Sequence, residues 1–150
     1  MTKAEVGQKA PDFKLLNQDG QEIELRNFNG MNVVLAFYPF DFSPVCTKEF
    51  GCFQDDLNEL KNIEAQVFGI SVDSKYCHKA FSDKLQLKFP LLSDFSKKVC
   101  KLYGTLRPEG FSNRAYFLID KNRVIRFKKI MEATKDRMEN KDLMNELKKL

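Results

Sequence analysis

Cys46 is the residue of this sequence best placed to do chemistry, because it opens a helix directly behind a strand. Met31 to Tyr38 (MNVVLAFY) is an apolar, β-branched and aromatic run that predicts a buried strand, and Pro39 and Pro44 then break the chain and restart it. From Cys46 the apolar positions 50, 53, 57 and 60 recur at helical spacing, so the cysteine falls on an inward stripe near the helix N-terminus. Backbone N–H groups without intrahelical partners and the helix dipole favour negative charge there. The placement predicts a thiol with a lowered pKa, and hence a nucleophile.

The four cysteines, at 46, 52, 77 and 100, are separated by 6, 25 and 23 residues. There is no C-x-x-C pair, which argues against a dithiol oxidoreductase, and no repeated ligand spacing, which argues against zinc or another metal. The only histidine, His78, stands beside Cys77 in a predicted helix. Neighbouring helical residues point about 100° apart and make a poor chelating pair, so His78 reads as a surface histidine.

A chain of 150 residues with 43% hydrophobic and 31% charged content suits a single domain, residues 1–150, able to bury a core. The net charge of +4 is small and its lysines are scattered among acids, which argues against a nucleic-acid partner. No apolar run approaches a membrane span, and the start MTKAEVGQKAPDF lacks the apolar core of a signal peptide, so the expected residence is cytoplasmic. In a reducing cytosol the cysteines stay thiols between reactions, and a disulfide would be catalytic rather than structural.

Around the Cys46 segment, residues 13–16 and 22–25 flank the turn cluster Asn17-Gln18-Asp19-Gly20 and predict a hairpin. A helix over about 44–62 leads to a strand over 66–72, completing a βαβ unit. A helix over 75–86 follows, with Tyr76, Ala80, Phe81 and Leu85 on one side, and then a shorter one over 96–103 stopped at Gly104. Strands over 116–119 and 124–130 bracket Asp120-Lys121-Asn122-Arg123 as a second hairpin, and a lysine-rich helix from Asp136 closes the chain. Pattern alone predicts an α/β protein.

Pro39-x-x-x-Ser43-x-x-Cys46 resembles the active-site signature of peroxiredoxins, and the resemblance runs along nearly the whole chain. It includes Ala10-Pro11-Asp12-Phe13, Ser71-Val72-Asp73-Ser74, Phe89-Pro90-Leu91-Leu92-Ser93-Asp94, Tyr103-Gly104 and Arg114-Ala115-Tyr116-Phe117-Leu118-Ile119-Asp120. The bacterioferritin-comigratory-protein (peroxiredoxin Q) and alkyl hydroperoxide reductase E groups are the subtypes it resembles most. The resemblance implies a thioredoxin-like fold with an N-terminal β-hairpin extension and a central mixed sheet flanked by helices. It also implies a thiol peroxidase that reduces hydrogen peroxide and organic hydroperoxides through a sulfenic acid on Cys46, without a cofactor.

By the same resemblance, Arg114 is the active-site arginine, Pro39 shields the thiolate, and the Ser43 hydroxyl donates to the peroxide. Ser43 stands where threonine is commoner and lacks the methyl that would fix its rotamer. Glu49 matches a secondary acidic position that could orient the arginine or simply serve the helix dipole. Phe40 and Phe42 are the aromatic residues expected at a dimer contact, in a protein that is a monomer or a homodimer. Thioredoxin or another small thiol would be the reductant.

The resolving thiol is less defined. The resemblance places it five residues after the nucleophile, at Gly51, whereas Cys52 lies one further. Six residues of helix separate Cys46 and Cys52 by about 9 Å along the axis, so a disulfide requires unwinding. Gly51, a weak helix residue, would ease it. Cys77 and Cys100 are further candidates, although each reads first as a small buried hydrophobe. The segment 108–114 resembles the one-cysteine alkyl hydroperoxide reductase E group. A non-catalytic reading, a redox sensor or holdase using the same thiol, predicts slow reaction with peroxide.

Overall fold

The computed structural model describes residues 4–55, 65–133 and 136–150, and within the first helix the side chains of residues 44–48, 50 and 51. Seven strands form one mixed sheet: β1 (Lys14–Asn17), β2 (Glu22–Glu24), β3 (Asn32–Phe37), β4 (Ala65–Ser71), β5 (Leu91–Ser93), β6 (Ala115–Ile119) and β7 (Ile125–Ile130), in the order β2-β1-β5-β4-β3-β6-β7. β3, β4 and β5 run parallel, whereas β1–β5, β3–β6 and the two hairpins are antiparallel. Among the described residues the helices are α1 (Pro44–Asp55), α2 (Lys75–Leu85), α3 (Lys98–Leu102) and α4 (Asn140–Leu147), with a 3-10 turn at Leu25–Phe28. This is the expected thioredoxin-like order, with the N-terminal hairpin added at one edge.

Both hairpins are built by an aspartate or asparagine that hydrogen-bonds its own turn. Asn17 Oδ1 accepts from the Asp19 and Gln21 amides at 2.9 and 3.0 Å, and Gly20 supplies the positive φ of +78°. Asp120 Oδ1 does the same for Asn122 and Val124, at 2.9 and 3.0 Å. The strand β5 escaped the periodicity argument because three residues are too few to display one. The C-terminal helix begins at Asn140 rather than at Asp136, and residues 56–62 of the predicted first helix lie outside the described residues.

All six residues of β3 and all five of β6 are buried, as strands covered on both faces require. Alternation along them separates two apolar layers. Val34, Ala36, Tyr38, Tyr116 and Leu118 pack with Cys46, Phe50, Phe81, Leu143 and Leu147 from α1, α2 and α4. Leu35, Phe37, Phe117 and Ile119 face the opposite way, against Leu25, Cys100 and Tyr103. Gly69 of β4 admits Phe50: a Cβ there would lie 2.8 Å from a Leu91 methyl and 3.1 Å from the Phe50 ring. That close approach seats α1 on the sheet.

One sequence expectation needs correction. α2 buries His78, Phe81 and Ser82, while Tyr76 is 76% exposed and Ala80 is also exposed. The helix is rotated so that positions 78, 81, 82 and 85 form the inward stripe, the i, i+3, i+4, i+7 pattern. His78 is therefore a fully buried residue rather than a surface one.

Candidate active site

Strand β3 delivers the chain to the loop 38–43, and α1 starts at Pro44, where a missing N–H costs nothing. The first helical hydrogen bond runs from the Thr47 N–H to the Ser43 carbonyl at 2.9 Å. Cys46, third in the helix, precedes that bond and is completely buried. The antiparallel register pairs Phe37 with Ala115, so the next step along both strands brings Arg114 opposite the start of the Cys46 loop. Its Nη2 donates to the Cys46 sulfur at 2.9 Å across 68 residues of sequence. Arg114 is only 1% exposed, and a guanidinium so far from water is sustained by negative charge beside it. The same contact favours the sulfur as thiolate.

A cavity of about 300 Å³ opens beside this pair, lined by Pro39, Phe40, Ser43, Pro44, Val45, Phe111 and Arg114. The Ser43 hydroxyl is buried there and has no hydrogen-bond partner among the described residues. Buried hydroxyls rarely stay unpaired, so a ligand donor or acceptor in the cavity would complete it. Pro39, Ser43 and Arg114 thus line one cavity, and Cys46 joins them through its contact with Arg114. The side chains of Glu49 and Cys52 lie outside the described residues.

Phe111 is a lining residue that sequence reasoning gave no role. Its loop is closed by the Arg107 amide donating to the Phe111 carbonyl at 2.8 Å, and the Arg107 guanidinium lies 5.5 Å over its ring. The ring meets Phe40 at 4.9 Å, forming an aromatic wall. The only signal for it was its place three residues before Arg114.

The other described thiols are held neutral. Burial first, then the carboxylates of Asp41 and Asp73, push the half-buried Cys77 thiol up to about 12. Burial, then Asp94, push the Cys100 thiol well above its usual range, and Cys100 lies on the face of the sheet opposite Cys46. Asp41, Asp73 and Cys77 bring ligand atoms within 4.8 Å of one another. Their carboxylates already accept from protein donors: Asp73 Oδ2 from the Asp41 amide at 2.8 Å and the Ser71 hydroxyl at 2.6 Å, and Asp41 Oδ1 from the Tyr38 hydroxyl at 2.5 Å. The cluster is a hydrogen-bond lattice and not an open cation cage.

A strand-loop-helix thiol paired with a buried arginine on a thioredoxin-like sheet defines the peroxiredoxin class of site, and the comparisons agree. Residues 6–128 match the AhpC/TSA family, and the chain belongs to it. Peroxiredoxin Q of the rice chloroplast (Oryza sativa subsp. japonica) is 40% identical over 132 residues, covering 83% of this chain and 58% of its own length. The mitochondrial thioredoxin-dependent peroxide reductase of Drosophila melanogaster is 40% identical over 132 residues, covering 81% of this chain and 56% of its own. The chain therefore spans under three fifths of those two relatives. The crystal structure of peroxidoxin BcpB from Mycobacterium tuberculosis superposes with a TM-score of 0.88 at 28% identity, covering 100% of this chain and 99% of that one.

Proposed function

We propose that the chain is a thiol peroxidase that reduces hydrogen peroxide and organic hydroperoxides. The observation that carries this is the 2.9 Å contact between buried Arg114 and Cys46 beside a cavity in which the Ser43 hydroxyl has no partner among the described residues. The Cys46 thiolate attacks the near oxygen of the hydroperoxide, an S–O bond forms as the O–O bond breaks, and the departing alkoxide or hydroxide takes up a proton. Sulfenic acid and an alcohol or water result. Arg114 and the Ser43 hydroxyl stabilise charge on the two oxygens in transit, and Pro39, Phe40 and Phe111 keep the site dry enough for those interactions to be strong. The aromatic wall suits the apolar part of an organic hydroperoxide.

An external thiol then attacks the sulfenic sulfur, releasing water and leaving a mixed disulfide that a second thiol reduces. Thioredoxin is the reductant we favour, because the name of the Drosophila relative carries it. Cys77 and Cys100 are poor resolvers on their raised pKa values, and Cys100 would have to cross the sheet. The described residues contain no helix long and apolar enough to cross a membrane. Cytoplasmic residence and a monomer or homodimer, the latter through the half-exposed Phe40 and Phe42, complete the reading.

Replacing Cys46 by Ser should abolish peroxide consumption in a thioredoxin-coupled assay. Turnover above a tenth of the wild-type rate would overturn the assignment. Intact mass after one equivalent of peroxide should gain one oxygen at Cys46, and a loss of two hydrogens would identify an internal resolving cysteine instead.

A further inference from the structure

Behind the Cys46 loop, away from the cavity, lies a buried polar cluster that the chemistry above does not use. Asp41 Oδ2 and His78 Nδ1 are 2.7 Å apart, and both side chains are wholly buried. The other ring nitrogen, Nε2, faces the Leu92 carbonyl at 3.0 Å. Both ring nitrogens thus meet oxygen atoms, and the short Nδ1 contact with Asp41 ties loop to helix, with the Tyr38 hydroxyl 3.3 Å from the same nitrogen. Tyr38, the residue after β3, donates to the second Asp41 oxygen, and Asp73, two residues beyond β4, accepts from the Asp41 amide. Cys77 of α2 completes the surroundings as a neutral thiol.

The next residue is strained. Phe42 has φ +68°, a conformation that a bulky side chain adopts only when its surroundings impose it. Its ring is held against Phe81 of α2 at 5.0 Å. The turn that aims Ser43 and starts α1 is therefore fixed by two neighbouring attachments to α2, one polar and one aromatic. Release of the polar one would let Phe42 relax toward negative φ and carry Ser43 and Cys46 with it.

We propose that Asp41 and His78 are positioning residues that clamp the Cys46 loop to α2 and keep the nucleophile in its buried, peroxide-ready geometry. The inference rests on Cys46 being the peroxidatic thiol. It is tested by two reagents with opposite demands. Peroxide needs the ordered site, whereas iodoacetamide, too bulky for a fully buried sulfur, needs the loop open. Both rates are read at Cys46 by peptide mass, well below the melting temperature of each variant.

His78→Leu should slow Cys46 oxidation by hydrogen peroxide at least tenfold and speed its alkylation at least tenfold. His78→Asn, whose amide can replace Nδ1–H toward Asp41, should return both rates to within threefold of wild type. His78→Gln, which can reach only the Leu92 carbonyl, should behave like His78→Leu. Rates within twofold of wild type in His78→Leu, two rates moving in the same direction, or equal rescue by Gln and Asn would each overturn the clamp. Should His78→Leu not fold, Asp41→Asn carries the same prediction and the same grounds for rejection. If wild-type peroxide consumption proves independent of Cys46, the peroxidase reading fails, and the alkylation rates still decide the clamp.

Discussion

Cys46 and Cys100 occupy the same local position and face opposite chemistry. Each is the third residue of a helix and each is completely buried, one on either side of the sheet. At α1 the sulfur meets the Arg114 guanidinium at 2.9 Å. At α3 the Val99 and Cys100 amides are taken by the Asp94 carboxylate, at 3.2 and 2.7 Å, and that negative charge adds to burial in keeping the thiol protonated. A helix N-terminus alone therefore does not make a reactive cysteine: the charge that the rest of the fold places against it decides between nucleophile and core residue.

The contrast between the two thiols depends most on Arg114. Arg114→Gln should lower the second-order rate of Cys46 oxidation by about 10²–10³-fold, the usual cost of losing a charged donor aimed at a transition state. Stopped-flow competition for hydrogen peroxide measures it, and a loss below threefold would place the activation elsewhere.

Cys77 supplies the next test, as a thiol flanked by carboxylates without full burial. With its pKa near 12, only about one part in 10⁴ is thiolate at pH 8, partly offset by the higher nucleophilicity of the anion. Alkylation at Cys77 should be roughly fiftyfold slower than at a cysteine in a model peptide. It should also climb about tenfold per pH unit from 7 to 11, since the thiolate fraction rises with pH until the folded pKa is passed.

Asp94→Asn weakens the cap of α3 and removes the charge beside Cys100, and should cost about 1–2 kcal/mol in urea unfolding. The Cys100 pKa is raised above its ordinary 9.0 in the folded protein, so the stability it contributes is full below pH 9 and falls as pH rises beyond it. In Asp94→Asn that alkaline loss should end at a lower pH, because the folded pKa is less raised. The smallest effect belongs to Cys100→Ala, which should leave peroxide turnover within twofold of wild type.

The sequence was most readable where function is local. A strand, two prolines and a cysteine at the head of an amphipathic helix lie within sixteen residues, and periodicity reaches that far. Arg114 was reachable only through family resemblance, because its meeting with Cys46 depends on the register of β3 against β6. His78 was misread for a different reason. A histidine that makes a poor chelating pair with its neighbour Cys77 reads as surface, yet its spacing to Phe81, Ser82 and Leu85 already marked an inward stripe. The partner that justifies its burial, Asp41, is 37 residues away and contributes nothing to that pattern.

Phe50 sets a length on what Cys46 can do once oxidised. Its ring is wedged over Gly69 between Tyr38 and Phe89, at 4.7 and 5.4 Å, one helical turn beyond the cysteine. Extracting it would cost on the order of 3–5 kcal/mol, the usual toll of losing a buried phenylalanine. An opening of the first turn that leaves this bolt in place makes residues 46–49 a tether of four residues, with a span of about 14 Å when extended. On the proposed mechanism, any thiol that meets a Cys46 sulfenic acid must enter that radius, so docking by the reductant, and not free diffusion of the oxidised loop, would set the geometry of turnover.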